Sequence, residues 1–177
     1  MLRAPTAAYA DQIAAYRQAF LDAGDSMDGT SMLREFEDPM AWLDWVALLP
    51  SRETCPKELV PSSSYLCIRV ADDRLVGLLD LRHELNQYLA AFGGHIGYSV
   101  LPSQRRKGYA KEMLRLALPK ARALGLERVL VTCFKENEGS RRTILSARGV
   151  FHSEVKNPDE HDITQRYWIT LGEPSAL

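Results

Sequence analysis

The chain has 177 residues, of which 46% are hydrophobic and 25% charged, and a formal net charge of −1. These values fit one domain with a substantial core, and the near-neutral balance gives no global attraction to nucleic acid or to a membrane surface. Three cysteines, Cys55, Cys67 and Cys133, are odd in number and lack a CxxC pair, which argues against a disulfide framework or a structural metal site.

The opening segment "MLRAPTAAYADQ" lacks the apolar core of a signal peptide. No apolar run approaches the ~18 residues of a membrane span. A soluble, reduced, cytoplasmic protein with no membrane partner is therefore expected. Residues 6–24 read as a helix, with Thr6 as a cap, Ile13, Tyr16, Phe20 and Leu21 near helical spacing, and Gly24 as the stop. The polar segment "DSMDGTSML" follows as a loop. "DPMAWLDWVALLP" is a second helix, with Asp38 at the N-cap, Pro39 at the first position and Pro50 beyond the end. Trp42 and Trp45 lie three apart on it and read as core. A connection rich in Pro and Ser spans 50–64.

Strand patterns come next. Residues 65–70 and 74–82 flank the turn "ADD" and form an antiparallel hairpin. "LNQYLAAFGG" fits neither period. Residues 95–100, "HIGYSV", are a strand stopped by Pro102, and a helix then runs to about Leu124, closed by Gly125. Ala110, Met113, Leu114, Ala117, Ala121 and Leu124 make its apolar stripe. Pro119 lies inside it, removes a backbone hydrogen bond at a cost of about 3 kcal/mol, and predicts a kink or break near residues 115–118. "RVLVTCF", 128–134, has the near-continuous apolar character of a strand buried on both faces. A short helix over 140–147 precedes a last hairpin around "KNPDEHD". The order implies one mixed α/β (α+β) domain over 1–177, with a parallel pair inside a largely antiparallel sheet.

The most informative stretch is "SQRRKGYAKEML", 103–114. It follows a strand and opens a helix. A helix N-terminus presents unpaired N–H groups and a partial positive charge, and a glycine there lets a bound group approach the backbone. The stretch is either an anion cradle, phosphate being the usual guest, or a solvated basic loop. Side chains of Arg105, Arg106 and Lys107 add contacts in the first reading. "GDSMDGTS", 24–31, fails as a phosphate loop because Thr30 stands where the lysine belongs, and fails as a calcium loop because Gly24 takes the first ligand position.

"VLPSQRRKGYAKEML" resembles the cofactor-binding signature of the GNAT acetyltransferase superfamily, with Arg105, Gly108 and Ala110 on the core pattern Arg/Gln-x-x-Gly-x-Gly/Ala. "NEGSRRTILSARGVF" is similar to the family's downstream segment, with Asn137 and Ser140 at its Asn and small-residue positions. "LRHELN" and "GGHIGYSV" further resemble an uncharacterised branch of predicted acetyltransferases. The match covers residues 65–171 as a cofactor-binding core, with 1–50 supplying the N-terminal helices and the acceptor-side loop.

The resemblance implies a central splayed strand pair that admits acetyl-CoA. Backbone amides of Arg106, Lys107, Gly108, Tyr109 and Ala110 would hold the pyrophosphate. The strand at Tyr98, Ser99 and Val100 would pair with the pantetheine arm, and an N–H near Ser99 or Val100 would meet the oxyanion. Gly97 is where a bulge is expected. The resemblance implies an N-acetyltransferase acting on a primary amine of a small molecule or peptide by direct attack in a ternary complex. One position departs from it: the family's usual acid, a tyrosine seven residues after the asparagine, is here Ile144. Candidate bases are Glu84, His83 and His95, a histidine or a desolvated glutamate having the useful pKa. Tyr98 is a further option, and Asp25 and Asp28 could attract a cationic amine. A non-catalytic acyl-CoA-binding module is the alternative. Nucleic-acid binding is disfavoured by charge and by the lack of interleaved aromatics. Family analogy also allows a homodimer through an exposed sheet edge.

Overall fold

A computed structural model describes residues 1–156 and 162–172. Its strands form two antiparallel sheets. The first holds β1 (Leu2–Arg3), β2 (Ser62–Arg69), β3 (Arg74–Arg82) and β4 (Ile96–Val100) in that order. The second holds β5 (Arg128–Phe134), β6 (Val150–Lys156) and β7 (Ile163–Thr170), with β7 in the middle. Four α-helices accompany them: α1 (Ala10–Asp22), α2 (Pro39–Leu48), α3 (Tyr109–Ala123) and α4 (Glu138–Ser146).

Local chemistry explains most boundaries. The Asp38 carboxylate accepts from the Met40 N–H at 2.8 Å and Pro39 opens the first turn, so α2 starts where its cap stands. Thr6 does not cap α1. It precedes a single 3-10 turn, Ala7–Tyr9, with no side-chain capping bond, and the regular helix begins at Ala10. Strand β2 starts at Ser62, earlier than expected, because Ser62–Ser64 pair with Arg82–Asp80 despite their polarity. The ambiguous 85–94 segment contains a π turn at Leu89–Gly93. Part of the last expected turn, residues 157–161, lies outside the described residues.

The first sheet separates two apolar clusters. On one face, α1 and α2 bury Ile13, Tyr16, Phe20 and Trp42 against Leu66 and Leu78. On the other, Met113, Leu114, Ala117 and Ala121 of α3 pack on Leu79 and Leu81 and on Val129 and Val131 of β5. Burying each of the leucines and valines, Ile13, Phe20 and Met113 among them is worth about 1.5–3 kcal/mol, enough to bind both sheets to α3.

Two further expectations are corrected. The break allowed near residues 115–118 does not occur, and helix α3 runs continuously through Pro119. The proline is exposed, as is Arg115, whose carbonyl loses its partner, so the unpaired group lies on the solvent side of the helix while the stripe on the opposite side stays buried. Gly97 is not at a bulge: β3 and β4 pair in one unshifted register, Asp80 opposite Gly97. The glycine serves close approach instead. A Cβ on it would lie 3.0 Å from Gly29 Cα, and one on Gly29 would lie 2.1 Å from the Gly97 carbonyl carbon.

Candidate functional site

Strands β4 and β5 belong to different sheets, and no ladder joins them among the described residues. They touch at one end, where His95 N–H donates to Leu130 O at 2.7 Å and Leu130 N–H donates to His95 Nδ1 at 2.9 Å. Beyond that they part. The bond from Leu101 N–H to Val76 O (3.0 Å), with the one-to-one β3–β4 register, fixes which groups are free. In an antiparallel ladder, hydrogen-bonded and non-hydrogen-bonded pairs alternate. The main chains of Gly97 and Ser99 are turned to β3, and those of Tyr98 and Val100 face the gap. Ser99 is thus used up, with its hydroxyl also accepting from Tyr16 at 3.0 Å.

The gap widens into a cavity of about 780 Å³. Its walls carry nearly all the expected cofactor residues: Tyr98, Ser99, Val100, Arg105, Arg106, Gly108, Tyr109, Ala110, Asn137 and Ser140. Lys107 is not among them; its Nζ donates to Gln104 Oε1 at 3.0 Å and Ser103 O at 3.3 Å. Gly108 sits at the N-cap of α3 with φ +86°, supplies no cap, and has open space where a Cβ would stand. The amides of Tyr109, Ala110 and Lys111 have no acceptor within the helix and point out of its positive end. Arg106 is also left-handed, at φ +63°. The walls hold five basic groups (Arg82, Arg105, Arg106, Lys111, Arg142) against three acids (Asp25, Asp28, Glu138). Such a shape and charge can accommodate an anion.

Arg105 is placed differently from the sequence expectation. Its guanidinium pairs with Asp25 at 2.6 Å, donates to Val100 O at 3.2 Å and lies over the Phe20 ring. It ties the cradle to the loop after α1 rather than extending a free fork.

On the opposite wall Asn137 caps α4, its side chain accepting from Ser140 N–H at 3.0 Å. Ser140 Oγ shares a 2.9 Å hydrogen bond with the Tyr98 phenol, joining α4 to β4 across the gap. Burial pushes Tyr98 up to about 12, the bond to Ser140 offsetting part of this. Ile144 is fully buried in the core and offers no polar group. The Cys133 thiol, also on the wall, is raised to about 11 by burial and is protonated at neutral pH.

None of Glu84, His83 and His95 lines this cavity. Glu84 is an exposed side chain paired with Arg52. His83 bonds Ser63 Oγ at 2.9 Å, and burial lowers its pKa. His95 is buried, its Nδ1 is occupied by Leu130 N–H, and burial with the Arg82 charge beside it lowers its pKa to about 4. It is a joint between the sheets.

A second cavity, of about 430 Å³, adjoins the first, and Asp28, Gly29, Arg82, Tyr88 and Leu89 line both. Its polar focus is Asp80, which is 5% exposed. Asp80 Oδ1 accepts from Ser31 Oγ at 3.1 Å, Ser31 Oγ lies 2.7 Å from Ser64 Oγ, and Asp80 Oδ2 is 3.2 Å from Arg82 Nε. Sequence reading passed over Asp80, although a lone acid in the apolar run "RLVGLLDLR" was the available signal. Arg82, Thr132 and Thr143 on the main cavity wall carried no such signal. Among the described residues no group of three or more His, Cys, Asp or Glu side chains could hold a metal, and no helix is long and apolar enough to cross a membrane.

Comparison with known proteins agrees with this geometry. The model of the Acetyltransferase (GNAT) family matches residues 30–149. No curated protein sequence matches the chain. Among solved structures, the ribosomal-protein-S5-alanine acetyltransferase of Vibrio fischeri superposes with a TM-score of 0.72 at 16% identity, covering 97% of this chain and 93% of that one. Mycobacterium smegmatis RimJ in complex with CoA-disulfide gives 0.70 at 19% identity, over 96% and 80% of the two chains. Salmonella typhimurium yncA with its cofactor acetyl-CoA gives 0.65 at 14% identity, over 99% and 96%. At these identities the likeness establishes the fold.

Proposed function

Since the chain belongs to the GNAT acetyltransferase family, we propose that it is an N-acetyltransferase that carries an acetyl group from acetyl-CoA to a primary amine of a small molecule or peptide. The observation that carries this reading is the net-positive cavity under the uncapped N-terminus of α3. The residues fit the cofactor: free amides at 109–111 and the open side of Gly108 suit a pyrophosphate, and the outward main chain of Tyr98 and Val100 suits an amide-bearing arm. Two of the similar structures were solved with acetyl-CoA or a CoA disulfide.

When bound, acetyl-CoA supplies the thioester, whose C–S bond is exchanged for a C–N bond to the amine. The chain's own groups then have distinct tasks. The Val100 N–H, facing the gap, donates to a carbonyl oxygen that gains negative charge. The Tyr98 phenol keeps its proton through neutral pH and is a donor to a departing thiolate, taking the part that Ile144 cannot play. Ser140 orients that phenol. A group that accepts the amine proton is not found in Glu84, His83 or His95 as they are placed, and solvent in the cavity is assigned that task. The outer strand β6, with Val150 and Phe151 exposed, is the edge assigned to a homodimer.

The buried Ile144 favours one other reading, an acyl-CoA-binding module without turnover. Titration calorimetry with acetyl-CoA, followed by an assay of thiol release with and without amines, separates the two. Saturable binding with amine-dependent release is expected. Binding without release selects the module, and no binding removes both.

A further inference from the structure

The second cavity has a built character that the transfer reading does not explain. Its walls are mixed: an apolar group of Met32, Trp45, Leu49, Leu59 and Val60 stands beside polar residues that include Ser31, Ser62 and Asp80. Its described charges are two carboxylates, Asp28 and Asp80, against one guanidinium, Arg82. Burying Asp80 in the middle of an apolar strand costs several kcal/mol before its partners offset it, and a leucine would pack there more simply. The loop that forms the outer wall is also held in place. Ser31 and Met32 are consecutive non-glycine residues in the left-handed region, at φ 49° and 67°, and such strain persists only where surroundings impose it. Here the fully buried Trp42 donates its indole N–H to Thr30 O at 3.0 Å, and Ser31 is bonded to Asp80.

We propose that this second cavity is the acceptor site and that it takes a primary amine borne on a single apolar body, not a polyamine. The inference rests on the transfer reading given above. Asp80 lies opposite Gly97 of β4, so the site abuts the strand whose other edge faces the gap. One negative charge in excess among the described lining matches one ammonium, since each carboxylate oxygen can accept a further bond. The apolar part of the wall, at Met32, Trp45, Leu49, Leu59 and Val60, disfavours additional charges, which would lie against it unpaired. The volume lies within the range of small-ligand pockets, about 300–1,000 Å³, so a free arylalkylamine or the first residue of a peptide can supply the same chemistry.

The test uses the full chain and its own tryptophan emission, with Trp45 on the cavity wall. 2-Phenylethylamine should change the emission saturably, spermidine should do so at least tenfold more weakly (about 1.4 kcal/mol), and Trp45→Phe should lose the change. Leu59→Lys, at a position 37% exposed and so not a threat to folding, removes apolar wall and adds a charge that repels an ammonium; it should raise the Kd and the KM for 2-phenylethylamine about tenfold and leave acetyl-CoA affinity unchanged. A peptide with N-terminal Phe that binds more tightly than 2-phenylethylamine assigns the site to peptide ends; the reverse assigns it to free amines. Spermidine binding as tightly as 2-phenylethylamine, or a Leu59→Lys variant with unaltered amine affinity, overturns the inference. Amine binding without thiol release would sink the transfer reading and leave the site standing. Thiol release with a KM that Leu59→Lys does not move would do the opposite.

Discussion

The two cavities meet at Arg82 and Gly29 but are built on opposite charge logic. The larger has two positive charges in excess and takes its donors from backbone: a helix end, a left-handed glycine and the outward edge of a strand. The smaller has one negative charge in excess and takes its character from side chains, chiefly a buried carboxylate beside a group of apolar residues. Under the proposed function, the contrast teaches that a single strand, β4, can border a cofactor cavity and an acceptor cavity of opposite charge that stay in contact at Gly29 and Arg82. Its main chain alternates between its neighbours, and Gly97 lets the loop at Gly29 lie directly on it.

The sharpest break of this contrast is Gly108→Glu, which puts bulk and negative charge into the positive cavity. Acetyl-CoA affinity should fall at least about a thousandfold, some 4 kcal/mol, while circular dichroism shows a folded protein. Gly108→Ala carries only the left-handed strain, about 1–2 kcal/mol, and should bind measurably. If both variants bind like the parent, the cradle assignment fails.

Tyr98→Phe keeps the ring and removes the proton. A fall in kcat of about a hundredfold, with acetyl-CoA affinity unchanged by calorimetry, is the expected outcome, and Ser140→Ala should fall less. An unaltered kcat would return Tyr98 to a purely structural role.

Gly29→Ala attacks the seam between the cavities. The new methyl would stand 2.1–2.3 Å from the backbone of Gly97 and Tyr98 at a residue with φ +66°. Chemical denaturation should show a loss of about 2–4 kcal/mol, or amine binding should fail as the loop lifts. Neither change would mean that the loop does not rest on β4.

The smallest effect is a pH dependence at the joint between the sheets. His95 has a folded pKa near 4, below its ordinary 6.5, so the unfolded chain binds the proton more readily. Stability should be complete above about pH 6.5 and fall as pH drops toward 4. His95→Gln should flatten that part of the profile. A parent curve already flat there would show that burial and the neighbouring Arg82 charge do not hold His95 neutral.

Much of this was legible in the chain. The helix at 109–123, the strands at 74–82 and 128–134 and the Asp38 cap follow from periodicity and from residues within one turn of each other. The junction proposed as the cradle was legible for the same reason, because a strand, a glycine and a helix start are contiguous. The surroundings of the candidate bases were not. Glu84, His83 and His95 were suggested by residue type, yet type does not say whether a carboxylate will meet Arg52 or an imidazole will meet Leu130 N–H.

What the sequence by itself determined, then, is the element order and the strand–glycine–helix junction at which the cofactor cradle is proposed, since both depend on local dihedral preferences and on a helix end that exists wherever its helix starts. Tertiary structure alone decided that Arg105 is tied to Asp25, that Tyr98 reaches Ser140 and that Asp80 is met by Ser31 from 49 positions away. Those pairings join groups whose separation along the chain leaves no local pattern. They form only where packed sheets exclude water, so that each buried polar group must find its partner in the fold.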